Sequence, residues 1–173
     1  GWEADDVIGT VGKICSNNGW ECVVVTGDRD SLQLIDEMVH IKLVISKPGQ
    51  TTATLYDKAK FEEEYGFEPK KLIDLKALMG DSSDNIPGVA GIGEKTALKL
   101  ISDFGSLDKL YENYSEAKMS DSVKQKLTNG RDMAYVSRDL ALIDRDAPIN
   151  TNIEEYAYNG VIKQDLRALF DEL

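Results

Sequence analysis

Apolar positions follow two rhythms along the first 56 residues. Over residues 2–16, Val7, Ile8, Val11, Ile14 and Cys15 recur at helical spacing. That spacing predicts one amphipathic helix with a single buried stripe, stopped by Gly19. "ECVVVTGD" then places three valines in succession. A β-branched run that is apolar at consecutive positions predicts a central parallel strand covered by helices on both faces. A short helix through Leu32 and Leu34 and a strand over residues 39–45 complete an α/β layer. "SKPGQTT" at 46–52 reads as a turn, in a hairpin or an exposed loop.

From about Tyr56 the helical rhythm takes over. Helices are predicted over 57–65, 69–79, 94–103, 106–113, 120–129 and 131–140, punctuated by Gly66, Pro69, Gly80, Gly105 and Gly130. Residues 144–162 carry Pro148 and several asparagines and read as loop. A last helix is predicted over 163–173. The expected fold is therefore an α/β lobe with a partial parallel sheet (residues 1–56), then a helical lobe (57–145), then a linker and helix (146–173). No internal repeat or low-complexity segment interrupts this order.

Composition narrows the function classes. No apolar run reaches the roughly 18 residues of a membrane span, and no signal-like segment opens the chain, so a cytoplasmic location without membrane partners is expected. Cys15 and Cys22 form neither a disulfide framework nor a zinc site and read as small core residues. Gly1 opens the chain inside an apparent helix, as in a fragment or processed protein. The net charge of −11 argues against a general nucleic-acid binder, which is usually basic. That argument weakens if the acids gather around metal ions, which invert the local field.

The acids do gather in sequence. "EADD" supplies Glu3, Asp5 and Asp6, which span less than half of a helix circumference, largely opposite the Val7/Val11/Ile14 stripe. "TGDRD" supplies Asp28 and Asp30 just past the Val-rich strand, where ligands bind in open α/β sheets; in an extended chain both would point the same way. "GDSSDN" supplies Asp81 and Asp84, which share one face if the segment is a helical turn. Each cluster alone also reads as a solvated acidic face or a cap. Together they point to a site. Converging carboxylates repel and need cations, and an all-oxygen donor set selects Mg²⁺ or Mn²⁺ over Zn²⁺. Two such ions about 4 Å apart are the apparatus for cutting phosphodiesters. His40, in a predicted strand, reads as structural. "DRDSLQLIDE" lacks the glycine an EF-hand loop requires.

"GVAGIGEKTA" at 88–97 looks like a phosphate loop. A Walker loop, however, needs Lys directly after its second Gly, and here Glu94 intervenes and no strand precedes. The alternative is a turn through Gly91 and Gly93 leading into a helix near Glu94, with Val89 and Ile92 anchored in the core. Its helix end accepts an anion, glycines permit close approach and positive φ, and Lys95, Thr96 and Lys99 stand beside it. This helix-hairpin-helix pattern holds a DNA backbone without reading bases; a plain helical packing corner is the structural alternative.

"GWEADDVIGT", "VVVTGDRDSLQL" and "LMGDSSDNIPGVAGIGEKTALKLI", taken in order, resemble the 5′-nuclease domain of bacterial DNA polymerase I, within the flap-endonuclease superfamily. The tail "NIEEYAYNGVIKQDLRALFDEL" is similar to the segment leading into that polymerase's next domain. The resemblance implies a PIN-like nuclease sheet followed by a helical lobe with an H3TH-type hairpin. It implies two Mg²⁺ or Mn²⁺ ions: Glu3, Asp5 and Asp6 in or near the first site, Asp28, Asp30 and Asp84 at the second, Asp81 acting through water, and Asp5 between the two. Asp5, Asp28, Asp30 and Asp84 would be the catalytic set. It further implies DNA with a 5′ flap or nick as partner, a K⁺ ion at the hairpin, and a polymerase domain in the parent chain. The family's domain opens before "EADD", with a strand carrying a further Asp and a basic helical arch. A chain starting at Gly1 would then have an incomplete sheet and ligand set, and a fragment acting only through its hairpin is the alternative function.

Overall fold

In the computed structural model, residues 1–158, 160 and 163–172 are described. Helix α1 (Ala4–Asn17) leads into strand β1 (Cys22–Thr26), a 3₁₀ turn (Asp30–Leu34), and strands β2 (Val39–Lys47) and β3 (Gln50–Tyr56). Helices α2 (Lys58–Tyr65), α3 (Lys71–Met79), α4 (Glu94–Phe104), α5 (Leu107–Asn113), α6 (Asp121–Asn129), α7 (Arg131–Ala141) and α8 (Lys163–Glu172) follow. The predicted helix end at residue 173 lies outside the described residues. Among those described, no helix is long and apolar enough to cross a membrane.

The helix boundaries follow local chemistry. Asp57, Ser106 and Ser120 cap α2, α5 and α6, each accepting a hydrogen bond from a backbone N–H of the first turn. Such a cap satisfies a donor that the helix itself leaves unpaired. Gly66 ends α2 in the left-handed conformation, φ 76°.

The sheet has the order β1-β2-β3: β1 and β2 pair parallel, as expected, and β2 and β3 form an antiparallel hairpin whose turn lies in the predicted 46–52 stretch, so the sheet is mixed. Among the described residues β1 has a strand neighbour on one side only, where a central strand was expected. Only Val24 points into the core, while Val23 and Val25 are 47% and 65% exposed. A consecutive valine run shows that a strand is apolar on both faces; it does not supply the second layer. Helix α1 covers one face only. Its buried residues are Gly9, Thr10, Gly12 and Cys15, and Val7 is exposed, so the Val7/Val11/Ile14 stripe is not the packed face. The reason is close approach: a Cβ on Gly9 would sit 2.9 Å from Ile143 Cγ2. Small residues thus set the contact, and the branched ones lean aside.

Two cores result. One gathers Val24, Leu32, Leu34, Val39, Ile41, Leu43 and Phe61 under the sheet. The other joins α3, α4, α5, α6 and α7 around Leu78, Ile101, Leu107, Leu110, Leu127 and Ala134. Phe67 and Leu72 pack against both. The chain also ties them by polar means. Buried Gln33 donates to the Ala141 carbonyl at 3.0 Å and accepts from the Ile143 amide at 3.1 Å. Past α7 the backbone returns along α1, where the Ala147 amide donates to Thr10 Oγ1 at 2.9 Å. Cys15 and Cys22 are free thiols; burial, and next the adjacent Cys15, push Cys22 up to about 11. His40 lies on β2, its Nε2 3.6 Å from a Glu21 carboxylate oxygen.

Candidate metal centre and hairpin

The three acidic stretches reach one place by three local devices. Glu3 is the N-cap of α1 and forms a capping box with Asp6: the Glu3 amide donates to the Asp6 carboxylate at 3.0 Å. The second Asp6 oxygen accepts from the Asp144 amide at 3.0 Å. Asp6 therefore spends both oxygens on backbone donors, a structural use that its place in "EADD" does not reveal. Asp28 follows the end of β1 in a turn, not in extended chain as expected. Its carboxylate accepts from the Asp30 amide at 2.8 Å, and Asp30 opens the 3₁₀ turn. The 81–86 segment is no helical turn, so the shared-face condition is not met by helix geometry there. Asp81 and Ile86 exchange two backbone hydrogen bonds of 2.8 Å, with Asn85 at φ 56° between them. This pinched loop is held by backbone contact: a Cβ on Gly88 would lie 2.3 Å from the Gly80 nitrogen.

Glu3, Asp5, Asp6, Asp28, Asp30 and Asp84 line one cavity of about 490 Å³, walled on its apolar side by Ile86 and residues 140–143. Asp81 faces an adjoining cleft with Asp28, Asp30 and Asp84. The tightest group is Asp30, Asp81 and Asp84, each offering a carboxylate oxygen within 4.8 Å of the others. Glu3, Asp5 and Asp6 share the cavity wall without joining a second group this tight among the described residues. An all-oxygen set at this spacing suits a hard divalent cation.

The electrostatics show the cost of this gathering. Burial, then the negative charge of Asp28 and Asp30, pushes the Asp5 carboxyl above its ordinary range. Burial raises Asp30 also, against the pull of Lys76. Asp81 moves the other way, held down at about 2 by the hydrogen bond from Lys76 and then that from the Ser83 hydroxyl. Burial outweighs the other influences at Asp30, which also faces Asp28 and Asp84, while at Asp81 the Lys76 ammonium and two donors from Ser83 outweigh it.

Lys76 is the residue that sequence reading missed. It lies in the last turn of α3, its side chain 12% exposed. Its Nζ pairs closely with Asp30, lies 2.7 Å from Asp81 and reaches Asp84 at 3.7 Å. "DLKALMGD" holds one partner, Asp81, only five residues on, but the string alone does not show that Lys76 also meets Asp30, 46 residues earlier. Asp139, at the cavity rim, was missed as well.

The hairpin lies one loop further on. Val89 and Ile92 are buried, at 2% and 3% exposure, and Ala97 is fully buried on the inner face of α4. Gly91 has φ 79°, but Gly93 is extended, φ −95°, and caps α4 with no side-chain hydrogen bond. A Cβ on Gly93 would meet nothing of the protein within 4 Å. Lys95 and Lys99 are exposed and Thr96 half-buried; Lys99 shares its charge with Asp103 at 3.8 Å. Lys126 of α6, absent from the sequence reading, donates to the Gly91 carbonyl at 3.0 Å and adds a cation at the turn.

Comparison with known proteins places both halves of the chain. Residues 1–66 match the family described as 5′-3′ exonuclease, N-terminal resolvase-like domain, and residues 67–164 match 5′-3′ exonuclease, C-terminal SAM fold. The chain is 43% identical over 172 residues to a DNA polymerase I of Streptococcus pneumoniae, covering 99% of the chain and 19% of that protein. It thus spans about a fifth of the length of the curated relatives it matches. Among solved structures it is similar to T5 5′-exonuclease with bound divalent zinc ions, with a TM-score of 0.70 and 25% identity, covering 83% of this chain and 51% of that one. It is also similar to a bacteriophage T5 flap endonuclease in a pseudo-enzyme–product complex with DNA and metal ions, with a TM-score of 0.67 and 26% identity, covering 84% and 50%.

Proposed function

The chain belongs to the 5′-3′ exonuclease family, and from that premise we propose that it carries the metal-binding and DNA-gripping parts of a structure-specific 5′ nuclease. The substrate is DNA with a 5′ flap or nick, and the reaction is hydrolysis of a phosphodiester bond in primer removal and repair, within a parent protein that also holds a polymerase. The observation that carries this reading is the convergence of carboxylates from three distant stretches on one cavity.

The donor set fits Mg²⁺ or Mn²⁺. Two such ions, when bound, would lower the pKa of a water and stabilise charge on the leaving oxygen. Asp28, Asp30 and Asp84 would hold the second ion, with Asp81 reaching it through water, while Glu3, Asp5 and Asp6 face the first and Asp5 stands between. The apolar wall at Ile86 and residues 140–143 limits water on one side of the cavity.

The hairpin would hold the duplex behind the cut. The space beside Gly93 at the start of α4 leaves room for a phosphate to be brought against the α4 amides. Lys95, Thr96, Lys99 and Lys126 would add charge, and a K⁺ ion would join the turn. The free thiols and the absence of a membrane-crossing helix among the described residues support a cytoplasmic setting.

The test is cleavage of a 5′-flap duplex by this chain with Mg²⁺, repeated with chelator and with Asp84→Ala. Cutting that needs metal and fails in Asp84→Ala is expected. Cutting that survives both chelator and the substitution would reject the site. Duplex binding without any cutting would leave only the hairpin function.

A further inference from the structure

Lys76 does more than balance charge in the scaffold. Its ammonium stands among the three carboxylates whose oxygens are otherwise spaced for a cation: it pairs with Asp30, lies 2.7 Å from Asp81 and 3.7 Å from Asp84. Those three oxygens lie within 4.8 Å of one another, so a divalent ion and the ammonium cannot share the centre. The side chain is 12% exposed, and Lys76 sits in the last turn of α3, where a cation also favours the helix carbonyl end.

We propose that Lys76 is a built-in exchangeable counter-ion: it holds the Asp30–Asp81–Asp84 group together without metal and must swing out when a divalent ion enters. This rests on the metal reading above and deepens it. A lysine suits the task because its ammonium is a compact point charge on a flexible four-carbon stem. Two consequences follow. The metal-free acids do not fly apart, so the loop 81–86 stays formed. Occupancy of this site then depends on competition between the ion and a tethered positive charge, which makes the ion weakly held and easily exchanged. Lys76 is on this account a positioning residue and touches no substrate.

Two measurements separate this role from a plain structural ion pair. The first is calorimetric titration of the chain with Mn²⁺ for wild type, Lys76→Met and Lys76→Arg, with circular dichroism to check folding. Removing the competitor in Lys76→Met should tighten Mn²⁺ binding by about tenfold or more, while Lys76→Arg, which keeps the charge, should bind no tighter than wild type. If Lys76 merely shaped the site, Lys76→Met would bind more weakly, and equal or weaker binding overturns the proposal. The second needs no variant. Acylation of Lys76 by N-hydroxysuccinimidyl acetate, read by mass spectrometry, should rise severalfold when Mn²⁺ is added, because the displaced amine reaches solvent. A flat or falling rate in metal-saturated protein overturns it. Failure of wild type and Lys76→Met alike to bind Mn²⁺ would instead strike the metal reading itself.

Discussion

Replacing Gly88 with Ala should unfasten the acidic loop from the hairpin. Gly88 has φ +62°, and an added Cβ would meet three backbone atoms: the Gly80 nitrogen at 2.3 Å, and the Gly80 Cα and Met79 carbonyl carbon at 2.7 Å. None of these can rotate away, so one side of the loop must move by about an ångström to reach ordinary contact. The left-handed conformation alone costs Ala about 1–2 kcal/mol, and forced displacement in a packed region adds about 1–3 kcal/mol. The movement also threatens the buried bond from the Gly88 amide to Ser137 Oγ, 2.9 Å, and that from the Val89 amide to the Leu78 carbonyl, 2.8 Å, each contributing about 1 kcal/mol. A total loss of about 3–5 kcal/mol is expected. Gly49→Ala is the control. It has φ +79° and nothing within 4 Å of its added Cβ, so only the backbone cost of about 1–2 kcal/mol applies. Urea unfolding followed by circular dichroism measures both. Gly88→Ala should also weaken Mn²⁺ binding by about tenfold or more, as the 81–84 carboxylates move away from Asp30, and Gly49→Ala should not. A Gly88→Ala protein no less stable than Gly49→Ala would refute the close-approach argument.

Three further outcomes are expected. Asp81, held at about 2, below the ordinary aspartate range, contributes stability that is full above its unfolded value and lost as pH falls toward 2; with chelator present, Asp81→Asn should therefore lose about 1–2 kcal/mol at pH 7, with the deficit fading between pH about 4 and 2. A deficit constant across that window would count against the ion pair. Gln33→Leu leaves the Ala141 carbonyl and Ile143 amide without their buried partner, so thermal unfolding should show a loss of about 2–4 kcal/mol; a change below about 0.5 kcal/mol would show that the two cores do not need this tie. Lys95→Ala with Lys99→Ala should weaken duplex DNA binding equally for all sequences and flatten the dependence of log K on log salt by up to about 2, Lys95 contributing more because Lys99 shares its charge with Asp103. An unchanged salt slope would remove both lysines from the interface.

Much of this protein was legible from the sequence because the deciding physics is local. Helical periodicity, the caps at Asp57, Ser106 and Ser120, and the breaks at Gly66, Gly80 and Gly105 all act within about one turn of chain, and the helices lie where that pattern put them. The Val89/Ile92 anchors and the three acidic clusters were visible for the same reason. What neighbours do across space was not. Three valines could not say that only Val24 would be buried here, since a strand's second cover comes from elsewhere in the fold. The i, i+3 spacing of Asp81 and Asp84 suggested a helical turn, whereas the backbone pair of Asp81 and Ile86, backed by the Gly80–Gly88 contact, imposed a pinched loop.

The sequence by itself determined which carboxylates were available and on which kinds of element they would sit. Only the tertiary structure decided that six of them share one cavity with Asp81 in the adjoining cleft, and that Lys76 pairs with Asp30, Asp81 and Asp84. A charge feels partners through space at a few ångströms, whatever their separation along the chain: "DLKALMGD" holds Asp81, but no spacing within it encodes the aspartate 46 residues earlier that completes the group.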